Sequence, residues 1–198
     1  MKNAIKTLIT MVCGAITLTL TYPNHLRAAE KNRTIFHQIQ NFRKIMIEGN
    51  VEVMLVQQPT VGVSYADDNT GNVKVTQQGE ALHITNSGKE KCKLVIYVKD
   101  LYRIEANGNA VVKTAAKLNT RFLQIILKDN AFAAIDTSSE GLYTEILDSS
   151  TLKLKGSTDH HALVMGKATR LTIDGFASAQ TVVRHVETAP EEITAIVL

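Results

Sequence analysis

Tryptophan is absent from this chain, and the other large aromatics are scarce: five phenylalanines and five tyrosines in 198 residues. A core without large rings has to be filled by Ile, Leu, Val and Ala, which suits a narrow interior. Only two cysteines occur, Cys13 and Cys92. Cys13 falls in the leader described next, so the remaining chain cannot form an intramolecular disulfide. A lone cysteine in an apolar strand, as in Cys92-Lys93-Leu94-Val95-Ile96, reads as a buried small hydrophobe.

Long apolar runs are also lacking. The one candidate, residues 8–20, is too short and too rich in Thr to cross ~30 Å of hydrocarbon. Lys2 and Lys6 precede it, Pro23 breaks it, and Ala28-Ala29 offers small residues for cleavage, so residues 1–29 read as a secretory signal peptide. Val12 before Cys13 is too bulky for the usual lipidation box. Excess charge of either sign is missing too. Three of the 22 basic residues (Lys2, Lys6, Arg27) lie in that leader, leaving 19 basic against 19 acidic. The sequence pI of about 8.8 is therefore largely a property of the leader. No strong field remains to attract nucleic acid or anionic lipid.

What is present is strand periodicity. Ile45, Ile47, Gly49, Val51, Val53 and Leu55 sit two apart with polar residues between several of them, the alternation of a strand with one inward face. Further strands are expected at residues 61–65, 73–75, 82–84 and 92–98, separated by turn clusters at 67–72, 78–80 and 86–88. Beyond Leu101 a small polar phrase recurs: Gly108-Asn109-Ala110, Asp129-Asn130-Ala131, Ser149-Ser150-Thr151 and Lys167-Ala168-Thr169. Leu101, Phe122 and Leu142 open three units of 21 and 20 residues, and a fourth, near residues 160–179, slips by about two, marking a place for a bulge. A period of this length without helix signals predicts a β-solenoid with coils of about 20 residues, each phrase a corner, with Asn109 and Asn130 stacked at the bend. An ordinary β-sandwich is the alternative, since its strands also recur at short intervals. Residues 34–198 are expected to form one domain, 34–100 as less regular N-terminal coils and 101–198 as regular repeats. Residues 193–198 read as a final apolar strand that covers the solenoid end or pairs with a partner.

Two segments carry a likeness to a known family. Phe42-x-x-Ile45-x-Ile47-x-Gly49-x-Val51-x-Val53 resembles the opening of the GIN domain, and Leu94-x-Ile96-x-Val98-Lys99-Asp100-Leu101-x-x-Ile104 resembles its central segment. The likeness extends over about residues 36–188. It implies a right-handed parallel β-helix in an exported adhesin head domain of Bacteroidetes-type bacteria. The chain departs from the family's usual Ser-Gly turns at Asp129-Asn130 and Lys167-Ala168, which predicts a weaker corner there.

Four groups of residues carry candidate chemistry. Asp129 and Asp148 lie 19 apart, with Asp136, Asp159 and Asp174 as further carboxylates for glycoside cleavage, but these residues also suit turns. Asp67, Asn69 and Gly71 begin like a calcium loop, yet Gln78 stands where the closing Glu is needed. His160 and His161 beside Asp159 suggest metal, but neighbours on a strand point to opposite faces; His185 follows about one coil later. Gly166-Lys167-Ala168-Thr169 lacks the spacing of a phosphate loop. No catalytic, cofactor or metal residue is assigned. The expected function is a non-catalytic envelope module that binds carbohydrate or protein, in the periplasm, at the cell surface or outside the cell. Neither nucleic acid nor a membrane span is expected, and self-association through a solenoid end is a possible contact. A glycan-active enzyme and a structural envelope protein are the alternatives.

Overall fold

Alternation of apolar and polar residues, interrupted every few residues by Gly, Asn or Asp, yields short strands and sharp corners. The structure, a computed structural model, describes residues 39–66 and 73–186. The proposed leader, the Asp67-Asn69-Gly71 turn and residues 193–198 lie outside the described residues. Among the described residues thirteen strands form one sheet: β1 Lys44–Gly49, β2 Val51–Gln57, β3 Gly62–Tyr65, β4 Lys74–Gln78, β5 Ala81–Asn86, β6 Cys92–Val98, β7 Arg103–Asn107, β8 Val111–Thr114, β9 Leu118–Asn119, β10 Phe122–Leu127, β11 Phe132–Ile146, β12 Thr151–Met165 and β13 Arg170–His185. Among the described residues there is no helix, and hence none long and apolar enough to cross a membrane.

Successive strands pair in parallel. One ladder runs β5–β1–β7–β10 and on through the second halves of β11, β12 and β13. The other runs β6–β2–β8 and through their first halves. The sheet is nevertheless mixed. β3 pairs antiparallel with β6, and β4 antiparallel with β5. The chain order is permuted as well, because β1 and β2 lie between β5–β6 on one side and β7–β8 on the other. The expected pure parallel winding is corrected at this point. After β2 the chain runs out along antiparallel edges, comes back as β5 and β6, and crosses to β7 through residues 99–102. Arg43 meets that crossing, its Nε 3.2 Å from Asp100 Oδ2 and its carbonyl accepting from the Tyr102 N–H at 2.9 Å.

The expected single strand through Ile45 and Leu55 is two strands, broken at Gly49-Asn50. Gly49 takes φ +86°, and a Cβ there would lie 2.2 Å from the Asn86 carbonyl oxygen. Stacked beneath it in the same corner are Gly108, at φ +69°, then Asp129 and Asp148, at φ +59° and +56°. The left-handed region costs an ordinary L-residue roughly 1–2 kcal/mol, less for Asp, whose side chain bonds locally. Here the bond runs between coils. The Gly108 N–H donates to Asp129 Oδ2 at 2.8 Å, and the Asp129 N–H to Asp148 Oδ2 at 3.0 Å. The side chains bonded along the pile are these carboxylates, not the amides of Asn109 and Asn130. The departure from Ser-Gly at Asp129 thus comes with a carboxylate hydrogen bond to the preceding coil.

Register also corrects the repeat. Phe122 pairs with Gly141, not with Leu142, so the offset there is 19. The third phrase is accordingly Asp148-Ser149-Ser150, with Ser150 buried in line with Ala110 and Ala131. Ser150 and Thr169 each donate their hydroxyl to the carbonyl three residues back, Leu147 and Gly166, at 2.6 and 2.9 Å. The expected slip in the fourth unit is a bulge. Leu154 pairs with Ile173 and Gly156 with Phe176, so β13 gains one residue, at Asp174-Gly175.

Inside, aliphatic columns run along the pile: Leu82, Ile45, Ile104 and Ile125 on one wall, Leu94, Val53, Val112, Ala133 and Leu152 on the other. Burying each Leu, Ile or Val contributes about 1.5–3 kcal/mol. Cys92 is buried here, beside Val51.

Two predictions follow from the corners. At Gly156, φ is +99° and a Cβ would lie 1.9 Å from the Thr137 carbonyl oxygen. Gly156→Ala should therefore destabilise by at least about 2 kcal/mol, read as a lowered urea midpoint, because backbone rather than a side chain must move. Asp129→Ala should cost about 1–2 kcal/mol and Asp129→Gly less, since glycine loses the carboxylate bond but not the backbone fit. Equal midpoints for all three proteins would show that the carboxylate bond contributes nothing.

Candidate functional site

On the outward face of the first ladder, register places Phe122, Gly141, His160 and Gln180 in one row across β10–β13, and Gln124, Tyr143, Ala162 and Val182 in the next. The small residues Gly141 and Ala162 leave a depression of about 420 Å³ between the larger ones. The Phe122 ring leans over Gly141, where an added Cβ would come within 2.8 Å of it, and is still 55% exposed. The Arg121 guanidinium sits 5.3 Å from the ring centroid, within cation–π range. Tyr143 stands two residues along β11 from Gly141 and flanks Ala162. Its hydroxyl donates to Glu145 Oε2 at 2.7 Å, and this bond, with burial, raises the phenol above its usual pKa.

Two further depressions adjoin through residues 119–122. One lies beside Arg43, Tyr102 and Phe122, the other beside Thr120, Ser139 and Asp159. The second is framed by a hydroxyl corner at a spacing of 19–20 residues, Thr120, Ser139, Thr158 and Ser178. Thr120, Thr158 and Ser178 each donate to the carbonyl two residues on, at 3.2, 3.3 and 2.8 Å. Ser139 Oγ donates to Thr158 Oγ1 at 3.0 Å.

Of the residues singled out in the sequence, His160 and His161 line the groove and the aspartates lie elsewhere. Asp129 and Asp148 are corner residues. Asp136 lies on the other ladder, its N–H donating to Thr114 Oγ1 at 3.0 Å. Asp159 is at the hydroxyl corner, and Asp174 is in the bulge, 3.9 Å from Lys155 Nζ. No carboxylate lines the groove. His160 points outward, with Nδ1 3.2 Å from Gln180 Oε1. His161 points inward and is buried, Nε2 2.9 Å from Thr144 Oγ1, with Phe176 edge-on at 5.5 Å. His185 pairs with Met165, four positions along the strand from Thr181, the partner of His161. The three histidines are not brought together, and among the described residues no group of three or more His, Cys, Asp or Glu could hold a metal ion. Gly166–Thr169 forms the fourth corner. Phe122, Gly141 and Ala162 escape a reading by hydrophobicity, which sets Phe122 level with Leu142; at the true offset of 19, a bulky residue facing a glycine is a readable signal.

Fold and face together define an all-β domain of stacked parallel strands that offers an open, uncharged groove. The chain belongs to the family described as "putative auto-transporter adhesin, head GIN domain", which matches residues 41–195. No curated protein matches it. Solved structures do. A putative adhesin from Bacteroides fragilis shares 16% identity over 78% of this chain and 77% of its own, with a TM-score of 0.64. A putative lipid binding protein from Parabacteroides distasonis shares 9% over 79% of each chain, TM-score 0.59. A putative adhesin from Parabacteroides merdae shares 16% over 77% and 76%, TM-score 0.54. At these identities the likeness carries the fold alone.

Burial holds the His161 imidazole below its ordinary pKa of 6.5. The unfolded chain then takes up a proton that the folded chain resists. This part of the stability is complete above pH 6.5, falls as the pH drops below it, and levels off below the folded value. Replacing both partners with apolar groups, His161→Leu with Thr144→Val, should flatten the loss of stability between pH 7 and 5 in urea titrations while costing little at pH 7.5. An unchanged acid slope would mean that the imidazole titrates freely.

Proposed function

We propose that this chain is an exported, non-catalytic binding module of adhesin type, presenting the outer face of its stacked strands to carbohydrate or protein. Residues 1–29 act as the signal peptide and residues 34–198 form one domain, whose coils we take to wind as a right-handed β-helix. Membership of the adhesin head family supports the surface role. The observation that carries the reading is the groove at Phe122, a concave, uncharged depression with a half-exposed aromatic ring on a face otherwise built for solvent. The glycan-active enzyme is less well supported. Acid–base cleavage needs two carboxylates facing the substrate, whereas the groove has none and Asp129 and Asp148 hold backbone N–H groups.

A second contact is supported at the far end of the pile. Among the described residues β13 pairs with β12 alone, and the inward-column residues Ile173 and Val183 are 53% and 48% exposed there. Self-association of this end is a further proposal.

The test combines export and binding. N-terminal sequencing of the exported protein should begin near residue 30, and the protein should bind members of a glycan array or of a panel of surface proteins without cleaving them. Release of shortened sugars from a bound glycan would favour the enzyme instead.

A further inference from the structure

We infer that the groove between Phe122 and Val182 is a subsite for an uncharged sugar ring; this rests on the binding-module reading and names its ligand. Charge is the first support. Although 21% of the chain's residues are charged, no Asp, Glu, Lys or Arg lines this groove. No lining carboxylate, Lys or Arg would offer an ionic ligand a counter-charge as it sheds water, the adjacent Arg121 and Arg103 being engaged with the Phe122 ring and Gln124. Shape is the second. Gly141 and Ala162 keep the floor bare on adjacent strands, the Phe122 and Tyr143 rings flank it, and its 420 Å³ falls in the small-ligand range of about 300–1,000 Å³. The C–H face of a pyranose can lie against the exposed Phe122 ring and remove it from water.

Polar chemistry is the third support. In the neutral tautomer protonated at Nδ1, His160 donates to Gln180 Oε1, which leaves the imidazole Nε2 as an acceptor and the Gln180 amide nitrogen as a donor on two groove-lining residues. Gln124 Oε1 accepts from Arg103 Nη1 at 3.4 Å, leaving its amide nitrogen as a second donor. Two donors and one acceptor beside an apolar surface match hydroxyls, each of which both donates and accepts. An acyl chain would leave all three groups without partners. An added peptide strand would pair at the open edge of β13, beyond Gln180 and Val182, and not over the floor, where β10, β11 and β12 are paired on both sides.

The exported chain, with its Phe122→Ala, Gln124→Ala and Ala162→Trp variants, is applied to an array of neutral and anionic oligosaccharides and to phosphatidylcholine vesicles. The best array ligand is then measured by calorimetry. Circular dichroism and the urea midpoint confirm each fold, and these outward-facing sites give three independent probes. Neutral oligosaccharides should bind, Phe122→Ala should weaken them by about tenfold, and Ala162→Trp should abolish binding by filling the floor. Sugar binding unchanged in the folded variants would overturn the groove assignment and leave the module reading intact. Binding of anionic glycans alone, of vesicles, or of proteins but no sugar would overturn it too. A chain that bound neither sugars nor proteins would defeat both readings.

Discussion

Every coil depends on one constraint, a corner that turns the chain from one wall to the other at the same height each time. Parallel ladders tolerate no drift, because a slip of one residue sends each inward side chain to solvent. The column Gly49, Gly108, Asp129 and Asp148 meets that constraint with a left-handed backbone at four successive levels, whereas the Gly166–Thr169 corner turns without one. Glycine reaches the conformation freely. Aspartate reaches it at a cost but returns a charge-assisted bond to the coil before, an interaction of about 1.5–3 kcal/mol when shielded and less at an exposed corner. Strain and bond are therefore of similar size. The gain from aspartate lies in tying neighbouring coils together, which glycine cannot do.

The interior changes character along the pile. The column that begins with Leu82, Ile45, Ile104 and Ile125 continues with Thr144 and then Leu163. Its neighbour runs from Leu123 through Leu142 to His161. Threonine and histidine side by side in adjacent columns satisfy one another at 2.9 Å, and Phe176 closes over the imidazole from the bulged strand. A buried pair of this kind adds little net stability but is costly to break, so it fixes which residues face each other where the aliphatic packing thins. The last coil is the most open, as the exposure of Ile173 and Val183 shows.

Much of this could be read from residue order, and the limit is instructive. Alternation at Leu94–Val98 located a strand because the burial period of two is a local property, while the same alternation ran unbroken from Ile45 to Leu55 and hid the corner at Gly49-Asn50. The small polar phrases located the corners because the conformation needed there favours Gly, Asn and Asp. Offset was not legible to one residue: Leu101, Phe122 and Leu142 looked equivalent by hydrophobicity, yet Phe122 faces outward and Leu142 inward. Nor was the placement of β5–β6 on the far side of β1–β2, since long-range pairing order leaves no local trace. His160 and His161 were correctly separated by strand geometry alone.

That single residue of offset is also what makes the candidate site. With Phe122 level with Leu142, the ring would belong to the core and no groove would exist. With Phe122 level with Gly141, the ring is displayed, the glycine gives it a place to lie, and Ala162 on the next strand deepens the floor. None of these three residues is chemically reactive, and none would be selected by a search for acids, metal ligands or nucleophiles. The recognition capacity of a stacked-strand surface arises instead from which side chains the register sets level with one another. A repeat whose offset shifts between 21, 19 and 20 residues can bring different neighbours together at each coil without altering the backbone that carries them. In such a fold the ladder supplies rigidity, and small changes in offset supply the differences between one face and the next.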